Sequence, residues 1–121
     1  MLKDNIVTLD ATETTSGSTV LLGSKSTSEA TIVNMLRKAG IVILGKSNLS
    51  EFAGFRHTNA RTGWSARGDQ ATGIFWPTQK PSGSSTGSAI SVGLGLATAA
   101  FGTEVRTTSF SGFRAASGSS G

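Results

Sequence analysis

Ser28-Glu29-Ala30-Thr31-Ile32-Val33-Asn34-Met35-Leu36-Arg37-Lys38-Ala39-Gly40-Ile41-Val42-Ile43-Leu44-Gly45 is the stretch on which the fold turns. Ile32, Met35, Leu36 and Ala39 fall at i, i+3, i+4 and i+7, which predicts a helix over residues 29–39 with one apolar face. Ser28 is the expected N-cap, Glu29 suits the positive end, and Arg37 and Lys38 suit the negative end before Gly40 stops the helix. The β-branched run 41–44, closed by Gly45, then reads as a buried strand of a parallel sheet. Working outward, the weakly alternating residues 5–9 predict an earlier short strand. Strand, helix and strand in this order imply a βαβ unit and the α/β class, a partial mixed or parallel sheet flanked by helices.

On either side the patterns are weaker. Residues 10–25 are rich in Thr, Ser and Gly and predict turns around Val20-Leu21-Leu22. Residues 50–55 read as a short helix, and residues 56–82 as a long polar loop of the kind that is functional or lacks its context. A second helix, built of small residues, is expected over 88–96, and a further strand over 97–102. Residues 109–121 are Ser- and Gly-rich without period and are expected to be a disordered tail, leaving 1–108 as the structured part.

Composition narrows the function. The chain has 121 residues, 16 of them Gly, with 36% hydrophobic and 15% charged residues and no Cys. That is one small domain with few large side chains for a core. There is neither a disulfide framework nor a thiolate metal site, and the single histidine, His57, excludes a multi-histidine site, so no metal and no cofactor are expected. No apolar run is long enough to span a bilayer, and no secretory leader is visible, so the default compartment is the cytoplasm. The net charge of +4 comes from scattered cations, with only Arg37 and Lys38 adjacent. Without a basic stripe interleaved with aromatics, no nucleic-acid partner is expected.

The motif with most chemistry is Pro81-Ser82-Gly83-Ser84-Ser85-Thr86-Gly87-Ser88-Ala89, followed later by Gly102-Thr103-Glu104. A Gly/Ser loop running into a helix start presents backbone N–H groups and small hydroxyls where negative charge can be stabilised. Read alone it is more simply a flexible Ser/Gly linker. It is not a Walker loop, since Gly87 is followed by Ser88-Ala89 rather than by G-K-[ST]. Nor does His57 head a Ser–His–Asp site with Asp10 or Asp69, because no G-x-S-x-G elbow is present.

Several segments in order resemble the amidase signature family. Residues 82–88 are similar to its G-G-S-S-G-G-S, and 102–104 to the start of its G-T-[DE]-x-G-G-S-I. Lys3-Asp4-Asn5-Ile6 resembles its K-D-N-I, and Thr14-Thr15-Ser16-Gly17-Ser18 its T-T-A-G-S. Gly45-Lys46-Ser47-Asn48-Leu49-Ser50-Glu51-Phe52-Ala53 resembles G-K-T-N-[LM]-x-E-F-A. Trp64-Ser65-Ala66-Arg67 looks like the version found in general, fungal-type amidases; the transamidating subunit of the glutamyl-tRNA amidotransferase shares the other motifs.

The resemblance implies hydrolysis of an amide C–N bond in a small-molecule substrate by a Ser–cis-Ser–Lys triad. Lys3 takes the place of the lysine, a base when neutral, and Ser84 that of the bridging cis-serine. Ser85 and Ser88 are expected to serve as helix-start hydroxyls, and Lys46 as a structural neighbour. By register Thr108 stands at the nucleophile position, where the family has Ser, with Ser109 one residue late. Val105, Arg106 and Thr107 occupy the oxyanion and substrate-binding turn, and Arg106 and Thr107 replace two glycines. Bulky and β-branched residues fit such a turn badly, so an impaired copy is implied, with a non-catalytic remnant as the alternative. The strands and pocket walls of the family that find no match suggest a fragment, or a mis-spliced or frame-shifted product, of a longer gene. Unpaired sheet edges and uncovered apolar faces would then favour aggregation.

Overall fold

The computed structural model describes residues 1–76 and 78–104. Strand β1 (Leu2–Lys3) pairs in parallel with β2 (Lys46–Ser47), Leu2 opposite Lys46 and Lys3 opposite Ser47. On its other side Leu2 forms a parallel bridge with Phe101. The amides alternate between the two neighbours: Leu2 N–H and Asp4 N–H donate to Gly45 O and Ser47 O, whereas Lys3 N–H donates to Phe101 O. Helix α1 (Thr31–Lys38) connects β1 to β2, and α2 (Thr86–Gly93) precedes the Phe101 bridge. The α/β class expected from the sequence is therefore present, with α1 joining two parallel strands that are not the ones expected.

The period-two alternation of a strand sends Leu2 and Lys3 to opposite faces. Leu2 joins Ile6, Val33 and Leu36 in the core beneath α1, with Ala30, Ile32, Ile43 and Phe101 packed around them. Lys3 turns to the face covered by α2.

Several local expectations are corrected. Helix α1 starts at Thr31 and is capped by Ala30, not Ser28, because Ala30 N–H is tied to Val7 O and holds residue 30 extended. Glu29 instead receives Leu9 N–H and Arg37. The buried face is centred on Val33 and Leu36, while Met35 is 61% exposed and Ala39 is also exposed. Periodicity gave the helix but not its rotation, since an i, i+3 pair exists in either phase. Gly40 does end the helix: at φ 77° it lets Ile41 N–H reach back to Leu36 O at 3.0 Å.

The run 41–44 is not a buried strand. Val42 and Leu44 are 77% and 62% exposed, and only Ile43 reaches the core. The ladder forms later, at Lys46–Ser47, because β1 offers a partner only in that register. Residues 5–9 likewise form no strand, the pairing having ended at Lys3.

Residues 51–54 form a 3-10 turn in which Phe52 and Ala53 adopt left-handed φ values of 47° and 57°. The expected long loop contains a short antiparallel pair, β3 (Trp64–Ser65) and β4 (Asp69–Gln70). The predicted second helix begins two residues early, at Thr86, and the predicted strand at 97–102 is reduced to the Phe101 bridge. No helix among the described residues is long and apolar enough to cross a membrane. The tail 109–121 lies outside the described residues.

Candidate functional site

Lys3 is brought to its place by β1, and Ser84 by the loop that enters α2. That loop is anchored on β2: Gly87 N–H donates to Asn48 O, and Ser50 N–H to Ser84 O. Gly87 is needed there because a Cβ would collide with the Asn48 carbonyl oxygen. Helix α2 can therefore lie directly on the backbone following β2, which sets Ser84 over the end of β1.

The result is a buried contact between two side chains far apart in sequence. Lys3 is 0% exposed. Its Nζ donates to Ser84 Oγ at 2.7 Å and to Thr103 O at 3.2 Å. Burial lowers the Lys3 pKa from 10.5 to about 8, against the charge of Glu104, which raises it. A lysine in this state supplies a neutral amine at mildly alkaline pH, already hydrogen-bonded to a hydroxyl from which it can take a proton.

The remaining motif residues frame this pair. Asp4 is buried and receives Thr15 N–H, Thr15 Oγ1–H at 2.5 Å and Gly17 N–H, so it clasps the 14–18 turn to the end of β1. Asn5 Nδ2 donates to Thr103 Oγ1 at 2.9 Å, and Ser85 Oγ donates to Thr103 O. Ser47 and Ser88 share a hydroxyl contact of 2.8 Å, and Ser88 Oγ also donates to Phe101 O. Asn48 and the fully buried Ser65 tie the 65–69 segment down through Asn48 Oδ1 and Nδ2.

Of the candidates named from the sequence, Lys3 and Ser84 meet. Thr108, Val105, Arg106 and Thr107 lie outside the described residues. Ser85 and Ser88 do not cap α2: no side-chain bond is made at its N-cap, because both hydroxyls point to carbonyls of the 101–103 segment instead. The peptide bonds of the described residues are all trans, the default state, so the cis geometry attached to Ser84 by resemblance is not seen.

Lys46 is structural, its Nζ engaged by Ile6 O and Thr14 Oγ1. His57 is exposed and accepts Asn59 N–H. No cluster of His, Cys or acidic residues suited to a metal occurs among the described residues. Sequence reasoning missed Asn5 and the Thr103 carbonyl. Asn5 sat inside a recognised motif, but a backbone oxygen leaves no mark in a sequence.

Two clefts, of about 640 Å³ and 590 Å³, are lined respectively by residues such as Leu9, Glu13 and Ser26, and by Asp4, Lys46, Asn48 and Arg67. Neither is lined by Lys3 or Ser84, so the candidate pair is marked by its hydrogen bonds and not by cavity size.

Comparison with known proteins identifies the family. The Amidase family model matches residues 1–106. A probable amidase of Arabidopsis thaliana is 50% identical over 104 residues, 86% of this chain and 20% of that protein. The structure of native peptide amidase from Stenotrophomonas maltophilia superposes with a TM-score of 0.80 at 47% identity, covering 85% of this chain and 21% of that one. A glutamyl-tRNA(Gln) amidotransferase subunit of Thermotoga maritima is also similar, with a TM-score of 0.71 at 36% identity, covering 84% and 21%. The chain thus spans about a fifth of the length of these relatives. With the family model matched over nearly the whole described chain and the Lys3–Ser84 contact assembled by its motifs, this protein belongs to the amidase family.

Proposed function

We propose that this chain carries the proton-relay half of an amide C–N hydrolase acting on a small-molecule amide. The observation that carries the reading is the buried Lys3 Nζ, 2.7 Å from Ser84 Oγ and with its pKa lowered to about 8. In this reading neutral Lys3 takes the Ser84 proton while Ser84 takes the proton of the nucleophilic hydroxyl at position 108. The Thr108 oxygen bonds to the amide carbonyl carbon, and backbone N–H groups are the donors that would stabilise the developing oxyanion.

As the C–N bond breaks, the proton returns through Ser84 to the leaving nitrogen. Water then cleaves the ester by the same relay. Thr in place of Ser at 108 and the absence of the two family glycines at 106 and 107 are expected to lower the rate by orders of magnitude, because the reaction depends on close positioning of the nucleophile.

General amidase chemistry is favoured over transamidation by the closer match to peptide amidase, a TM-score of 0.80 against 0.71, and by Trp64-Ser65-Ala66-Arg67. The test is ammonia release from a small primary amide by the purified chain. Slow turnover lost in both Lys3→Ala and Ser84→Ala supports the relay, and turnover indifferent to both substitutions refutes it. If the chain is silent, the titration of Lys3 by NMR decides: a midpoint near 8 retains the relay, and one at 10.5 removes it.

A further inference from the structure

A neutral lysine amine has two N–H bonds and one lone pair, and it serves as a base for Ser84 only when the lone pair faces that hydroxyl. The Cδ–Cε–Nζ end has three staggered settings, so an unrestrained amine would aim correctly about a third of the time. What fixes the setting is the acceptor for an N–H, and the structure supplies one, Thr103 O, at 3.2 Å.

Thr103 lies beyond the ladder, which ends where Lys3 N–H meets Phe101 O. It is held by the Asn5 amide on its hydroxyl, at 2.9 Å, and by Ser85 Oγ on its carbonyl, at 3.2 Å. Asn5 stands two residues from Lys3, and both side chains converge on the same threonine. Its Oδ1 is buried with no partner among the described residues. An apolar residue would fill the space without that penalty, so packing alone does not account for an asparagine here.

We propose that Asn5 is a positioning residue of the relay, clamping Thr103 so that its carbonyl orients the Lys3 amine toward Ser84. This rests on the relay reading above, and it concerns Asn5 acting through Thr103, not Asn5 touching substrate.

The experiment follows the Lys3 titration by NMR in dilute, 13C-lysine-labelled full chain. Asn5→Ala frees the 103–104 segment and admits water to Lys3. The midpoint is expected to rise from about 8 toward 10.5, by about one pH unit. Thr103→Val deletes the hydroxyl that Asn5 holds, loosens the same 103–104 segment toward water, and is expected to give the same rise. Glu104, whose charge favours the ammonium, is unaltered in both. Because the two substitutions break one clamp, the double variant moves the midpoint no further than either single one. A folded Thr103→Val chain in which Lys3 titrates as before overturns the proposal and leaves the relay standing. Lys3 at 10.5 in the unaltered chain removes the relay, and the clamp with it.

Discussion

Lys3 is a liability for stability. Its folded pKa of about 8 lies below the ordinary 10.5, so between these values the unfolded chain binds more protons than the folded one. By linkage, stability rises with pH through this window and is lost as pH falls through about 8. At neutral pH the penalty is at most about 3 kcal/mol. Lys3→Met is therefore expected to raise the urea midpoint at pH 7 and to abolish the rise between pH 8 and 10, as read in parallel melts across pH. Turnover by the unaltered chain should increase with pH through the same midpoint, since only the neutral amine accepts a proton. Asp4, by contrast, stabilises the fold through its hydrogen bonds. Asp4→Ala leaves the buried Thr15 and Gly17 donors without their acceptor. We expect a loss of about 1–3 kcal/mol for each orphaned group, measured by urea unfolding.

At the scale of elements, the site depends on how closely α2 lies on the backbone after β2. Gly87→Ala would drive a Cβ into the Asn48 carbonyl, which is backbone and cannot swing aside. The helix must shift, at a cost of about 1–3 kcal/mol. Ser84 should move with it, so the Lys3 titration should return toward 10.5 even where the chain stays folded. The same elements show what was legible beforehand. Helix α1 and its stop at Gly40 followed from spacing and from one residue type. Its rotation did not, because Val33 and Leu36 are buried by partners at Leu2 and Ile6 that lie far off in sequence. The run 41–44 misled for a related reason: β-branched residues favour extended backbone, but a ladder needs a neighbour, and β1 pairs with Lys46–Ser47 instead.

Across the whole molecule, apolar surface stays uncovered. Val20, Val42, Phe55 and Phe75 are each at least 75% exposed, and the edge of β2 away from β1 has no partner strand among the described residues. Such surface drives association. Self-association at micromolar concentration is expected, with a broad thermal transition. Val42→Lys should lower the weight-average mass in sedimentation, because it places a charge on the exposed 41–44 run; a monomeric unaltered chain with a sharp two-state melt would contradict this.

The sequence alone determined the α/β class and the family, and it singled out Lys3 and Ser84, because each is written in local order: residue spacing, turn glycines and motifs that follow one another along the chain. Tertiary structure decided which face of α1 is buried, where the ladder forms, and that the Asn5 and Lys3 side chains converge on Thr103. Those outcomes depend on contacts between residues up to 100 positions apart, as from Lys3 to Thr103. Such contacts are made by packing and backbone hydrogen bonds that no local pattern encodes.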